Sequence, residues 1–297
     1  MQHCPVLLSE AITLLSPKPG ESICDATLGL AGHAEALLSK VLPDGALIGI
    51  DADPENLQEA TKRLQPFGDA VQLVHGNFRD IASVLSTPVD IVFADLGVSS
   101  PHFDDPARGF SFRSDGPLDL RFDRTSGVPA SEWLAHADAE EIAQALREWG
   151  ELRGAWSITQ SIIRGRPATT KQLQECVEEA LGWRAPSAMA QVFQALRIAV
   201  NGEIQALQDL LAAGPRLLRP GGRFGVISYH SLEDRLVKQA FRALVTVHKD
   251  PHTGQDIETA MYRLITKKAV VPGPEEIVRN PRARSAKLRV ICYPPPL

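Results

Sequence analysis

The sequence predicts an α/β fold in which a largely parallel sheet is covered by helices on both faces. In the first hundred residues, short apolar runs alternate with segments of helical periodicity, and Gly- and Pro-containing turns separate them. Continuous apolar runs, rather than alternating ones, are typical of strands buried on both faces. We predict strands at 23–27, 46–50, 71–74 and 89–94, with helices at 33–42 and 55–64 between them.

The middle of the chain follows a different pattern. Residues 131–200 have helical spacing, with capping-box signals at Asp138 and Thr169 and a C-cap glycine at Gly182. Strand character returns at 222–228 and 287–292. We therefore predict a sheet domain formed by 1–105 and 204–297, with a smaller helical domain inserted at 106–203.

Composition excludes several classes of protein. Hydrophobic residues make up 44% of the 297 residues and charged residues 23%, which is ordinary for a globular protein and not for a disordered or fibrous one. No apolar run approaches the roughly 20 residues of a membrane span, and the N-terminus lacks the pattern of a signal peptide. The four cysteines are widely spaced, without a CxxC pair, so we expect no zinc ribbon and a reducing, cytoplasmic location. The eight histidines show no ligand spacing with Cys or carboxylate partners, so we predict no metal site.

Charge is distributed unevenly along the chain. Residues 260–297 contain eight Lys or Arg and two Glu, a formal charge of +6, so the remainder carries −11 within a net charge of −5. This segment is either a solvated basic tail or a local phosphate-binding face on an acidic body.

A small-residue loop follows the first predicted strand. It reads Asp25-Ala-Thr-Leu-Gly29-Leu-Ala31-Gly32-His33 and leads directly into a helix, where free amides favour electron-rich ligands. The loop is neither the dinucleotide fingerprint G-x-G-x-x-G nor a P-loop, which argues against NAD and ATP. A tight strand–helix connection without a ligand is the alternative.

Polar and aromatic residues at the next strand ends indicate a nucleoside. Asp51 ends the second strand, where a carboxylate can accept hydrogen bonds from ribose hydroxyls, whereas Asp53 is positioned to cap the following helix. Phe78, after the third strand, would pack either against an adenine ring or in the core. A nucleoside site without a diphosphate clamp fits S-adenosylmethionine (SAM) better than NAD or ATP.

The end of the fourth strand carries one of several unusual sequence blocks. Together they resemble the RsmH (MraW) methyltransferase family, in order and with compatible spacing. The blocks are His3-Cys-Pro-Val-Leu7, Asp95-Leu-Gly-Val-Ser-Ser100, Arg108-Gly-Phe-Ser-Phe112, Asp115-Gly-Pro-Leu-Asp119, His230-Ser-Leu-Glu-Asp-Arg235 and Asn280-Pro-Arg-Ala-Arg-Ser-Ala-Lys-Leu-Arg289.

The resemblance implies a Rossmann-like SAM-dependent methyltransferase sheet with an inserted helical domain that recognises the substrate. It also implies methylation of the N4 amino group of a cytosine in 16S rRNA, at the decoding centre of the small ribosomal subunit. By motif, the expected cofactor contacts are Ala31, Gly32, His33, Asp51, Phe78, Asp95 and His102. Ala31, His102 and Tyr229 depart from the commoner family residues, which are Gly, Gln and Phe.

Asp95 is the predicted catalytic residue. The amino group of cytosine is a poor nucleophile because its lone pair is delocalised, and an acceptor bonded to its N–H would help the lone pair turn toward the methyl group. A purely cofactor-binding role for Asp95 is the alternative. His230 is a weaker candidate base, with a structural role beside Asp234 and Arg235 as its alternative.

Other residues are candidates for RNA contact. Phe103, Phe110 and Phe112 would form either a stacking platform or packing between the domains. Arg282 and Arg284 are candidate phosphate contacts, unless Arg284 braces the fold through a buried pair.

Two further functions remain open at the sequence level. One is an amino-methyltransferase acting on DNA or another RNA, although Asp95-Leu-Gly-Val replaces the usual (D/N/S)-P-P-(Y/F/W) tetrapeptide of that class. The other is a SAM-binding ribosome-assembly factor without turnover. The sequence makes no prediction of oligomeric state.

Overall fold

The computed structural model describes residues 5–246 and 260–294. The chain divides into two compact units, one formed by Met1–Gly97 with Gln205–Leu297 and the other by Val98–Ile204. The second unit begins before residue 106 because Val98 and Phe103 pack against its hydrophobic core.

Seven strands form one sheet in the described residues of the first unit. They are β1 (Ser22–Asp25), β2 (Ala46–Asp51), β3 (Val71–His75), β4 (Val89–Asp95), β5 (Leu218–Ser228), β6 (Arg263–Leu264) and β7 (Lys287–Cys292). Their order is β3-β2-β1-β4-β5-β7-β6. The first five are parallel, whereas β7 runs antiparallel to both β5 and β6. The predicted α/β class is confirmed, with an antiparallel pair added at one edge.

The helices alternate with these strands and also fill the second unit. They are α1 (Leu8–Leu15), α2 (Gly32–Val41), α3 (Pro54–Leu64), α4 (Ile81–Val84), α5 (Ser100–Asp104), α6 (Ala130–His136), α7 (Ala139–Glu148), α8 (Ala155–Gly165), α9 (Thr170–Leu181), α10 (Ala185–Asn201), α11 (Glu203–Ala213), α12 (Ser231–Val245) and α13 (Pro274–Arg279). Within the described residues, none of these helices is long and apolar enough to cross a bilayer.

Both faces of the sheet are buried, as its apolar strands predict. Successive side chains of a strand point to opposite faces. In β4, Ile91 and Phe93 pack in the core that contains α1 and α2, while Val92 and Ala94 pack in the core that contains α11 and α12. This two-sided burial leaves the strand ends as the polar, accessible part of the sheet.

The predicted helix ends are largely confirmed. Asp53 Oδ1 accepts a hydrogen bond from Glu55 N at 2.8 Å and so caps α3, and Asp138 caps α7 through Glu141 N. Thr169 Oγ1 accepts from Gln172 N at 3.2 Å, but the Gln172 side chain returns to Ala168 N instead of Thr169 N. Gly182 ends α9 with φ +55°, the left-handed region that favours glycine.

Candidate active site

Three neighbouring strands of the sheet each end in an aspartate. Asp51 is the last residue of β2, Asp25 of β1 and Asp95 of β4, and these strands are adjacent in the order β2-β1-β4. Because the strands are parallel, their carboxyl ends meet at one edge, where ligands bind in open α/β sheets. This edge, called here the carboxylate rim, is therefore a candidate site for a ligand with hydroxyl donors or positive charge.

The loop between β1 and α2 is held in an unusual backbone conformation. Ala31 N donates to Leu28 O at 2.8 Å, and both Gly29 (φ +51°) and Ala31 (φ +61°) are left-handed. A left-handed alanine costs roughly 1–2 kcal/mol relative to its ordinary backbone. The buried Ala31 methyl group packs in the core, which offsets part of this cost. Ala31 therefore fits where the commoner family pattern has Gly.

A small residue is needed at the two glycine positions of this loop for different reasons. A Cβ on Gly32 would lie 2.4 Å from Pro5 Cγ, so Gly32 is required by packing against the N-terminal segment. A Cβ on Gly29 would meet nothing closer than Thr27 O at 3.9 Å. The expectation that small residues admit a ligand therefore applies to Gly29, whereas at Gly32 the space is filled by the chain itself.

Asp51 ties the loops after β1 and β2 together. Its Oδ2 accepts from Gly29 N at 2.6 Å, and its Oδ1 accepts from Asp53 N at 2.8 Å and from Asn56 Nδ2 at 3.3 Å. Burial raises the pKa of Asp51, while these hydrogen bonds act in the opposite direction. Asp51 thus shapes the loop of Gly29, and its contact with ribose stays a prediction.

Asp95 lies between two side chains that the sequence separates widely. Its Oδ1 accepts a hydrogen bond from the Tyr229 hydroxyl at 2.8 Å, and its Oδ2 lies 3.5 Å from His33 Nδ1. Burial raises the pKa of Asp95 to about 8; the Tyr229 hydrogen bond lowers it, and the charges of Asp25 and Glu233 raise it further. The side chain keeps 23% of its surface exposed, so the carboxyl group remains open to a ligand.

Tyr229 was not among the predicted site residues. Its hydroxyl is what distinguishes it from the commoner phenylalanine, and that hydroxyl makes the bond to Asp95. Burial and the Asp95 charge raise the pKa of Tyr229 well above its usual value, so the hydroxyl stays a donor. The sequence signal that could have identified Tyr229 was its departure from the family phenylalanine. Only the fold shows that its hydroxyl reaches Asp95.

His33 is buried at the start of α2. Its Nε2 lies 2.9 Å from Val6 O, and since a carbonyl oxygen only accepts, Nε2 carries the proton. The ring packs against Phe93 with centroids 4.9 Å apart, and Nδ1 faces Asp95. His33 therefore links the N-terminal segment to the rim, and any contact with the cofactor stays a prediction.

Asp25 is a rim residue that was not predicted as part of the site. It is 1% exposed, and its Oδ1 accepts from Thr27 N at 3.1 Å. Burial raises the pKa of Asp25 to about 7, with the Asp51 charge adding to the effect of burial. Its position at a strand end, shared with Asp51 and Asp95, was the signal in the sequence.

Phe78 and His102, two further predicted cofactor contacts, lie in different units. Phe78 begins a short 3-10 helix after β3 and packs, partly buried, against the core on the α11 and α12 side of the sheet. His102 belongs to the second unit, where its buried ring packs on Phe110 and Phe122 and its Nδ1 accepts from Ser99 N at 3.0 Å. The contact of each with the cofactor stays a prediction.

His230 lies against the side chain of Glu233, and its role as a base stays a prediction. Its Nε2 lies 3.1 Å from Glu233 Oε1, and Glu233 Oε2 accepts from the backbone amides of Tyr229 and His230. The neighbouring Asp234 binds Lys287 at 3.0 Å and Arg289 at 2.8 Å.

The predicted aromatic platform is only partly available. Phe110 is buried in the core of the second unit, so it cannot stack on a base without leaving that core. Phe112 is 39% exposed and contacts Phe193 edge-on. Across 5–246 and 260–294, no three His, Cys, Asp or Glu side chains form a group suited to a metal ion.

Comparison with known proteins identifies the family. The chain is 45% identical over 301 residues to a Ribosomal RNA small subunit methyltransferase H of Thermomicrobium roseum, covering 97% of this chain and 92% of that protein. It is 44% identical to the protein of that name from Syntrophotalea carbinolica, covering 98% and 97%. Among solved structures, an rRNA methylase from Streptococcus thermophilus aligns with a TM-score of 0.43 at 11% identity, covering 99% of each chain. The family model described as the MraW methylase family matches residues 1–293, and the chain therefore belongs to that family.

Proposed function

We propose that this protein transfers a methyl group from SAM to the N4 amino group of a cytosine in 16S rRNA of the small ribosomal subunit. Family membership and relatives named small-subunit rRNA methyltransferases support the reaction class and the substrate. The observation that carries the chemistry is Asp95 at the end of β4, held by Tyr229 and facing His33. Such a substrate implies a reaction in the cytoplasm.

The carboxylate rim suits SAM as the methyl donor. SAM carries a sulfonium and an ammonium group, and its ribose hydroxyls donate hydrogen bonds, so carboxylate oxygens complement it in charge and in hydrogen bonding. Asp51 and Asp95 supply such oxygens, whereas Asp25 is buried, and the open space in front of Gly29 lets a ligand approach the backbone closely. When bound, SAM supplies an activated methyl group on sulfur.

The protein's own contribution is alignment and proton acceptance. Holding two reacting groups in line can lower a barrier by about 7–11 kcal/mol. An ionised Asp95 that accepts a hydrogen bond from the cytosine amino group would turn the nitrogen lone pair away from conjugation. The amino nitrogen becomes acidic as its new bond forms, and a carboxylate whose pKa is raised to about 8 is matched to take that proton near neutral pH.

Tyr229 and His33 would keep Asp95 in position for this task. The Tyr229 hydroxyl fixes one carboxylate oxygen and stabilises the ionised form, which leaves the other oxygen, Oδ2, facing His33. If Asp95 instead contacts only SAM, the Asp95→Asn variant would lose SAM affinity and kcat would fall little at saturating SAM. We expect the reverse, with a large loss of kcat and a smaller loss of affinity.

A labelling experiment tests the proposed function. The protein is incubated with methyl-labelled SAM and small ribosomal subunits that lack the modification, and the rRNA is digested to nucleosides for mass spectrometry. We expect label in N4-methylcytidine from 16S rRNA. Label in free rRNA or duplex DNA but not in subunits would support another amino-methyltransferase, and SAM binding without any product would support a non-catalytic assembly factor.

A further inference from the structure

The basic segment identified in the sequence includes a short helical turn with exposed arginines. Residues Pro281–Ser285 form a 3-10 helix that carries Arg282 and Arg284, and Arg279 ends the preceding α13. All three arginine side chains are exposed. The alternative in which Arg284 forms a buried pair is therefore wrong, and Arg289 takes that role by binding Asp234 at 2.8 Å.

Strand register brings this turn to the carboxylate rim. Residue Lys287, just after the turn, pairs with Ser228 at the carboxyl end of β5. Asp95 pairs with Ile227, the residue before Ser228. The antiparallel direction of β7 thus starts the strand at the rim, so Pro281–Ser285 and Asp95 lie at the same edge of the sheet.

The turn is firmly anchored beneath its arginines. Ala283 and Ala286 are buried in the core on the α1 and α2 side of the sheet, and Asn280 Oδ1 accepts from Arg282 N at 3.2 Å. Lys287 and Arg289, which follow, are both bound to Asp234. The arginines therefore project from a fixed base, so little backbone ordering is needed when they bind a partner.

The local charge is positive on an otherwise acidic protein. On α13, Glu275 is exposed, while Glu276 is engaged through Oε1 by the Leu7 amide at 2.7 Å. The three arginines thus outnumber the exposed acid, whereas the chain as a whole is −5. Arginine is suited to phosphate because its planar guanidinium donates two parallel hydrogen bonds.

We propose that Arg279, Arg282 and Arg284 bind phosphate groups of the RNA strand next to the target cytosine. This inference rests on the proposed function, because it assigns a substrate-binding surface to the same rim. The arginines supply strand positioning and affinity without reading sequence, since phosphate contacts carry no base information. The acidic remainder of the chain would limit contact with nucleic acid elsewhere.

The test is the salt dependence of RNA binding by a double variant. Arg282→Gln/Arg284→Gln is compared with the unaltered protein by fluorescence anisotropy, with a labelled transcript of the decoding region at several KCl concentrations. Each phosphate contact to a single strand contributes about 0.7 to the slope of log K against log salt, so we expect the slope to shrink by about 1.4. Affinity at about 50 mM salt should fall at least tenfold.

The matched control is Arg216→Gln/Arg263→Gln. Both residues are exposed arginines of the sheet unit, but Arg216 precedes β5 and Arg263 pairs with Cys292, so both lie at the opposite end of the sheet. The control should keep the slope and affinity of the unaltered protein. Equal slopes for all three proteins, or equal losses in both double variants, would overturn the inference.

A failure of the phosphate-binding inference can be distinguished from a failure of the proposed function. SAM binding by calorimetry should be the same in all three proteins, because the arginines are assigned only to RNA. If the unaltered protein transfers no methyl group to subunits, the proposed function fails whatever the slopes show. If it transfers methyl groups and the Arg282→Gln/Arg284→Gln slope is unchanged, only the phosphate surface fails.

Discussion

The Tyr229 hydroxyl donates a hydrogen bond of 2.8 Å to Oδ1 of Asp95, although 134 positions separate the two residues in the chain. The bond links the end of β4 to the residue just after β5, two strands that pair in register up to Asp95 and Ile227. It opposes the effect of burial on Asp95, which otherwise favours the neutral acid. Tyr229 thus controls how much of Asp95 is ionised near neutral pH.

Tyr229→Phe should shift the pH dependence of methyl transfer. Loss of the hydroxyl removes the hydrogen bond that lowers the pKa of Asp95, so this pKa should rise above about 8. A hydrogen bond to a charged group contributes roughly 1.5–3 kcal/mol, which corresponds to at least a tenfold loss of kcat at pH 7. Measurement of kcat from pH 6 to 9.5 should show activity recovering toward alkaline pH.

Tyr262→Phe is the matched control for this variant. The Tyr262 hydroxyl is also buried and donates to Pro215 O at 3.0 Å, but it lies near the start of β5, away from the rim. Its pH profile should overlay that of the unaltered protein. An identical overlay for Tyr229→Phe would contradict the role assigned to Tyr229.

Asp51→Ala should weaken SAM binding by at least tenfold. The substitution removes the carboxylate that holds Gly29 N and Asp53 N, and charge-assisted hydrogen bonds contribute roughly 1.5–3 kcal/mol each. Calorimetry measures the affinity, and faster hydrogen exchange at the Gly29 amide would report release of the loop. Asp51→Asn keeps one acceptor oxygen, so its affinity for SAM should lie between that of the unaltered protein and that of Asp51→Ala.

Asp53→Ala separates this effect from general loosening of the region. It removes the cap of α3, which costs about 1 kcal/mol of stability, but it leaves the Asp51 contacts to Gly29 intact. Affinity for SAM should therefore change little. If Asp51→Ala bound SAM as tightly as Asp53→Ala does, the role of Asp51 in anchoring the loop would be refuted.

Asp25→Asn should flatten the dependence of stability on pH. The pKa of Asp25 is about 7 in the folded state and near 4 in an unfolded chain, so the folded protein holds a proton that the unfolded chain has lost between these values. Its favourable contribution is complete below pH 4 and is lost as the pH rises through 7. An amide does not titrate, so urea midpoints at pH 5, 6, 7 and 8 should decline less steeply in the variant. If the urea midpoints of both proteins declined in parallel with pH, Asp25 would be ruled out as a cause of the pH dependence of stability.

Asp234→Asn should destabilise the protein by about 2–3 kcal/mol. Asp234 binds both Lys287 and Arg289, and Arg289 is largely buried, so removing the carboxylate leaves a poorly solvated guanidinium unpaired. The exposed pair of Lys62 and Glu59, 2.6 Å apart, offers the comparison, since surface pairs contribute roughly 0–1 kcal/mol. Urea unfolding of Asp234→Asn and Glu59→Gln should show this difference, and equal midpoints would contradict it.

The alternation of elements and some of their boundaries could be predicted from local chemistry, although β1 ends at Asp25 and not at 27, and β5 begins at Leu218 and not at 222. Strand β7 begins and ends at the predicted residues, and α3 begins after the predicted cap Asp53, because turn signals and apolar runs are properties of short segments. The strand-end position of Asp95 was predictable for the same reason. The direction of β7 was not, since pairing with β5 depends on which neighbour lies beside it in space.

The carboxylate rim, like the sheet, could be predicted from the sequence only in part. The sequence pattern predicts that Asp51 and Asp95 end strands, but it does not predict which atoms they contact. Asp51 accepts a hydrogen bond from Gly29 N, and Asp95 contacts Tyr229 and His33. Burial raises the pKa of Asp25 and of Asp95 only because strands β2, β1 and β4 stand side by side. A raised pKa is a property of surroundings, and a linear pattern does not specify surroundings.

The amino-acid sequence by itself determined the α/β class, the helix caps, the family motifs and the basic character of residues 260–297, because each depends on residues close together in the chain. Tertiary structure alone decided that Tyr229 supports Asp95, that Arg289 and not Arg284 is bound in a pair, and that the turn of Arg282 lies at the rim. These outcomes depend on strand order and register, through which groups far apart in sequence come within hydrogen-bonding distance and lose their water.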